Sequence, residues 1–136
     1  MKYLLDTNIV SETRRRLPHG AVVEWLRSVK HENLLLSVVS LGEIQIGIEK
    51  TRQQDANKAQ ELERWSDKVT QHYTLLPMGA QEFKVWATLM HKQSSTIAYD
   101  GMIAATALVQ RLTVVTRNVG DFQRFGVAVV NPFEHT

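Results

Sequence analysis

The sequence predicts an α/β domain built on a central, mainly parallel sheet with helices on both faces. Two observations carry that expectation. Short apolar runs alternate with longer segments of helical spacing. Several runs end on an acid or an amide that stands at or near the start of the next helix, as in a βαβ chain.

The elements follow in order. Lys2-Tyr3-Leu4-Leu5 reads as a short buried strand ending at Asp6. Thr7-Asn8 with Ser11 and Glu12 opens a helix, and Arg14-Arg15-Arg16 followed by Leu17-Pro18-His19-Gly20 ends it. Val22, Trp25, Leu26 and Val29 fall on one helical face, and 33–39 is a second β-rich run. In Glu43-Ile44-Gln45-Ile46-Gly47-Ile48 the isoleucines alternate like a strand. However, Ser40 and Glu43 match an S-x-x-E capping box, which favours a helix from Ser40. Gly42 and Gly47 count against it by about 1 kcal/mol each.

Residues 52–73 are polar and long, with Ala56, Ala59, Leu62, Trp65 or Ser66, and Val69 forming a narrow apolar stripe. Residues 73–76 make a strand ended by Pro77. Phe83, Trp86, Ala87 and Met90 mark the next helix face, and 92–96 is a polar loop. Residues 101–110 are apolar nearly all round, which predicts a buried helix opened by Asp100. Residues 112–116 are a strand; a short helix through Phe122 and Phe125 and a strand over 127–130 complete the chain.

The totals bound the function. A chain of 136 residues suits one domain, 1–136. It is 43% hydrophobic and 22% charged, ordinary values for a globular protein. No apolar stretch approaches the ~20 residues of a membrane helix. The first apolar run stops at Asp6, too short for a signal peptide, so a cytoplasmic protein is expected. With no cysteine, disulfides and thiolate metal sites are excluded.

In a parallel sheet, ligands bind outside the carboxyl ends of the strands. Asp6, Glu43, Asp100, Asn118 and Asp121 fall at or near such ends. Each has an ordinary explanation when taken singly. Asp6 and Asp100 suit helix caps, Glu43 a capping box, and Asn118-x-x-Asp121 a cap of the short helix. Capping does not require them to converge. Clustered carboxylates repel, and a divalent cation removes that conflict. Oxygen ligands without Cys or a dedicated His favour Mg²⁺ or Mn²⁺. Such ions serve phosphodiester hydrolysis.

The stretches LLDTNIVSE, VVSLGEIQIGIEK, YDGMIAATAL and LTVVTRNVGDFQRFGVAVVNPF resemble PIN domains, and more narrowly VapC-type toxins of type II toxin–antitoxin pairs. The resemblance spans essentially the whole chain. It implies an α/β/α sandwich, Mg²⁺-dependent ribonuclease activity, a homodimer and neutralisation by a cognate antitoxin. The family's acids map to Asp6, Glu43 and Asp100 as metal ligands. The fourth family position, sometimes aspartate, is Asn118 here. That departure leaves a second metal site open, with Asp121 the candidate to supply charge or take a proton. Thr7, Asn8 and Thr116, with Asn118, are the expected polar neighbours of the ligands.

Charge agrees with an RNA substrate. Setting aside Asp6, Glu43, Asp100 and Asp121 raises the net charge from +2 to +6, enough to track a phosphate backbone. Arg117 and Arg124 are the expected RNA contacts, ahead of Arg14-Arg15-Arg16. His19, His31, His72, His91 and His135 lie in polar segments and are read as surface residues rather than a metal-free catalytic pair. Trp25, Trp65 and Trp86 are read mainly as packing residues, with a part in an antitoxin groove or a dimer interface as the alternative. Besides cleavage of DNA, which the same metal chemistry permits because it does not need the 2′-hydroxyl, two rival readings stand. One is a phosphotransferase with Asp6 as nucleophile, disfavoured because Asn8 stands where that pattern wants a second Asp. The other is a catalytically silent PIN module that binds RNA or a protein partner.

Overall fold

Tyr3–Leu5 (β1) is the central strand, and its neighbours set the architecture. The computed structural model describes residues 1–134. Leu34–Ser37 (β2) and Thr113–Val115 (β4) flank β1, both parallel to it. Thr74–Leu76 (β3) lies outside β2, and Val129–Val130 (β5) outside β4. The order is β3-β2-β1-β4-β5, with every pair parallel.

Register divides the strand side chains between two cores. Leu4 sits beside Leu35 and Val114, and all three pack with Ile103, Ala104 and Phe122 on one face. Leu5 sits beside Leu36 and Val115, which pack with Ile9, Val22, Trp25 and Val69 on the other. Burial on both faces explains why the strands read as unbroken apolar runs. One face is covered by Thr7–Glu12 (α1), Gly20–Ser28 (α2) and Ala56–His72 (α4). The other is covered by Ala80–Met90 (α5), Ala98–Gln110 (α6) and Val119–Gln123 (α7). Val38–Arg52 (α3) packs mainly on α4, where Ile44 and Ile48 meet Ala59.

Four boundaries differ from the expectation. Helix α3 starts at Val38, because Ser37 caps it by accepting the Val39 N–H at 3.0 Å. Ser40 is therefore inside the helix and fully buried, and the expected Ser40–Glu43 capping box does not form. The polar stretch 52–73 is broken near its start, where Asp55 accepts the Lys58 N–H at 3.0 Å and begins α4. Helix α6 begins at Ala98, led in by a 3₁₀ turn at Ser95–Ile97, so Asp100 lies within its first turn. The last strand is confined to Val129–Val130. Among the described residues no helix is long and apolar enough to cross a membrane. His135 lies outside the described residues.

Candidate active site

The strand order reverses between β1 and β4, which opens a crevice beyond their carboxyl ends. Asp6 enters it directly from β1. Its backbone N–H donates to Val115 O at 2.9 Å, fastening it to the end of β4. The side chain is only 3% exposed. Oδ1 accepts the Thr7 N–H at 2.8 Å, and Oδ2 accepts the Thr116 hydroxyl at 2.9 Å. Thr116 Oγ1 also accepts the Asn118 N–H at 2.9 Å. Asp6 does occupy the N-cap position of α1, but it reaches only the first amide of the helix. Capping alone leaves its bond from Thr116, 110 positions away, unexplained.

Glu43 reaches the crevice from α3. The Thr7 hydroxyl donates to Glu43 Oε1 at 2.8 Å and stands 2.8 Å from Ser40 Oγ. Asp100 comes from the first turn of α6, where no side chain caps the helix. Packing places it instead. Trp86 Nε1 donates to Ala98 O at 3.0 Å, and a Cβ on Gly101 would lie 2.7 Å from Met90 Sδ. Asp121 stands in the first turn of α7, with Arg124 Nη2 3.8 Å from its Oδ1.

Burial and neighbouring charge act on three of these acids. Burial pushes the Asp6 carboxyl up to about 6, against the hydrogen bonds from Thr116 and Thr7, and the Glu43 and Asp121 charges raise it further. Asp100 is also pushed up to about 6 by burial, with Asp6 and Asp121 adding to the rise. Glu43 is raised by burial and by Asp100, while its bond from Thr7 pulls the other way. Near neutral pH Asp6 and Asp100 are therefore ionised at a cost. Among the described residues no three His, Asp or Glu side chains close tightly enough to hold an ion unaided. Mg²⁺ does not require such a cage, because it binds through one or two carboxylates and keeps its waters. The donor set is all oxygen and carries uncompensated negative charge, which fits a hard divalent cation.

Other expected residues stand around this centre. Thr116 is fully buried and Thr7 half-buried, and both are bonded to the acids. Asn8 is exposed on the rim. The exposed side chain of Asn118 does not cap α7; its backbone joins the set through Thr116. Arg117 lies over the Phe133 ring, 4.5 Å from its centroid. His19, His31, His72 and His91 are exposed. The sequence reading missed Ser40 as a partner of Thr7, and Gly101 and Trp86 as the residues that place Asp100.

A doubly covered parallel sheet with an acidic crevice at its reversal point defines a class, and a model of the PIN domain matches residues 3–127. The chain belongs to the PIN-domain family. It is 35% identical to plasmid stability protein StbB of Pseudomonas syringae pv. tomato, over 96% of this chain and 98% of that one. It is 34% identical to toxin FitB of Neisseria gonorrhoeae, over 96% and 97%. It is 32% identical to ribonuclease VapC of Rickettsia bellii, over 91% and 90%. A solved structure of FitAB bound to an IR36 DNA fragment superposes with a TM-score of 0.83 at 32% identity, covering 98% of this chain and 97% of that one.

Proposed function

We propose that this chain is an endoribonuclease toxin that hydrolyses RNA phosphodiester bonds at the acid crevice with Mg²⁺, or Mn²⁺, as cofactor. The observation that carries this reading is the placing of Asp6, bonded to Thr7 and Thr116, with Glu43, bonded to the same Thr7, at the carboxyl edge of the sheet, where burial and neighbouring acids raise Asp6, Glu43 and Asp100 together. Its likeness to a protein named toxin FitB and to a VapC ribonuclease supports the same reading.

Asp6, Glu43 and Asp100 would hold the cation. Once bound, it supplies positive charge to stabilise the phosphate as it is attacked. The chain's own groups do the rest. Thr116 and the Thr7 amide keep the two Asp6 oxygens oriented. The Thr7 hydroxyl aims Glu43. Glu43 or Asp121 takes the proton of the attacking water. In-line attack leaves a 5′-phosphate and a 3′-hydroxyl, with no part for the 2′-hydroxyl. Arg124, exposed beside Asp121, and Arg117, exposed over the Phe133 ring, would contact the backbone.

The active unit in this reading is a cytoplasmic homodimer. A cognate antitoxin would silence it by placing an arginine among the same carboxylates, in competition with the cation. The test is cleavage of total RNA by purified, antitoxin-free protein in Mg²⁺, Mn²⁺ or EDTA. Cation-dependent cutting that is lost in folded Asp100→Asn is the expected result. RNA binding without cutting in any cation would replace this reading with that of a binding module.

A further inference from the structure

We propose that Trp65 and Arg14 form a subsite for the nucleotide next to the scissile phosphate, with one base stacked on the indole and a phosphate paired to the guanidinium. This deepens the ribonuclease reading and rests on it.

A cavity of about 240 Å³ opens between α1, α3 and α4. Thr7 and Glu43 stand in its wall, so it is continuous with the acid crevice. Ile44, Ile48, Leu62 and Trp65 give it apolar sides, and Arg14 stands at its edge. Ile44 and Ile48 are buried in the α3–α4 contact and Trp65 packs on the same cluster, so the wall is fixed. One cavity therefore brings together an acid, rigid apolar walls and a cation. A nucleotide beside a cut bond offers a partner for each: a phosphate held at the acidic centre, a flat ring and a neighbouring phosphate.

Arg14 is poised for the exchange. Its guanidinium carbon lies 5.7 Å from the centre of the Trp65 ring system, and its side chain is exposed. Among the described residues no carboxylate lies within ion-pair distance of it. A base that enters over the indole takes the place of the guanidinium, which then turns to a phosphate. On the other side of α1 a second cleft, of about 390 Å³, carries Arg15, Arg117 and Phe133. Ser11 and Arg14 border both clefts, so α1 is the ridge of one trough. A peptide with apolar side chains and an arginine, such as the antitoxin segment proposed above, would suit the slot and its carboxylate but would leave Arg14, Arg15 and Arg117 without an anion. A single RNA strand suits both.

The test uses the full chain and two probes. The first is a short RNA oligonucleotide spanning a mapped cut, made intact or with an abasic ribose on either side of the bond. Removing one of the two bases should lower kcat/KM of the wild type by about tenfold. Trp65→Leu should lose about as much on the intact oligonucleotide and nothing further on that abasic one. Trp65→Phe, which keeps a stacking face and reports on folding, should recover most of the loss. Arg14→Gln should flatten the salt dependence of KM. The second probe is binding of a labelled single-stranded oligonucleotide in EDTA, which reads the subsite whether or not the protein cuts. Weaker binding by Trp65→Leu without cleavage by the wild type would support the subsite and overturn the nuclease reading. Equal binding by wild type and Trp65→Leu, or equal cleavage of intact and abasic RNA, would overturn the subsite.

Discussion

The Thr7 hydroxyl donates to Glu43 Oε1 across 2.8 Å while standing 2.8 Å from Ser40 Oγ, so one side chain ties the first turn of α1 to α3. This joint orients an acid that neither helix end would hold by itself. Thr7→Val keeps the shape and removes the bonds. It should cost about 1 kcal/mol of stability in urea denaturation. It should also lower kcat by roughly tenfold, the order expected for a misdirected acid–base group. Thr7→Ser should restore both.

Asp6 gives stability a pH dependence with a definite sign. Its carboxyl titrates at about 6 in the folded chain, against 3.8 as the reference. Between those values the folded chain holds more protons than the unfolded one. Its contribution is complete below pH 3.8, is lost as pH rises to about 6, and does not return above that. Asp6→Asn should therefore be more stable than the wild type in EDTA at pH 7.5, by about 1–3 kcal/mol, with the gap closing near pH 4. Added Mg²⁺ should raise the wild-type Tm at pH 7.5, raise it less at pH 5, and leave Asp6→Asn nearly unmoved.

Thr116 pulls in the other direction, since its hydroxyl favours the ionised form of Asp6. Thr116→Val removes that bond and strands the Asn118 N–H. The acid limb of the pH profile of kcat/KM should move to higher pH, and stability should drop by about 1–3 kcal/mol.

Gly101 lets α6 approach α5 closely enough to set Asp100. Adding a methyl group puts a carbon 2.7 Å from Met90 Sδ and 3.3 Å from Trp86 Cδ1. Gly101→Ala should cost about 1–3 kcal/mol and lower activity by displacing the first turn of α6. Restoring room with Met90→Ala in the same chain should return part of the activity, read as kcat at saturating Mg²⁺.

Arg117 should act on affinity rather than chemistry. Its exposed side chain lies over the Phe133 ring and makes no ion pair with a carboxylate among the described residues. Arg117→Gln should weaken RNA binding about equally across sequences and reduce the salt slope by roughly one, measured by anisotropy between low and moderate salt.

Much of this was legible because the three central strands, β2, β1 and β4, are buried on both faces. Leu4-Leu5 and Leu34-Leu35-Leu36 can do little else than fill the two cores. The start of α3 was hidden because Val38 and Val39 favour a strand intrinsically, while the cap at Ser37 and packing on α4 make them helical. The S-x-x-E pattern then pointed to a cap, although Ser40 and Glu43 both turn toward Thr7. Asp6 and Thr116 were each visible as turn residues. Their bond was not, because only the pairing of β1 with β4 brings positions 110 apart together. The same holds for Arg14 and Trp65, which meet only because α3 and α4 fold back over α1.

The most direct test of the central claim is the chemistry of the RNA ends. Water-driven hydrolysis at the carboxylates predicts 5′-phosphate and 3′-hydroxyl ends in Mg²⁺, read by end-specific ligation and mass spectrometry, with no cuts in EDTA. Recovery of 2′,3′-cyclic phosphates, undiminished by EDTA or by Asp6→Asn, would contradict it and remove the acid crevice from the reaction.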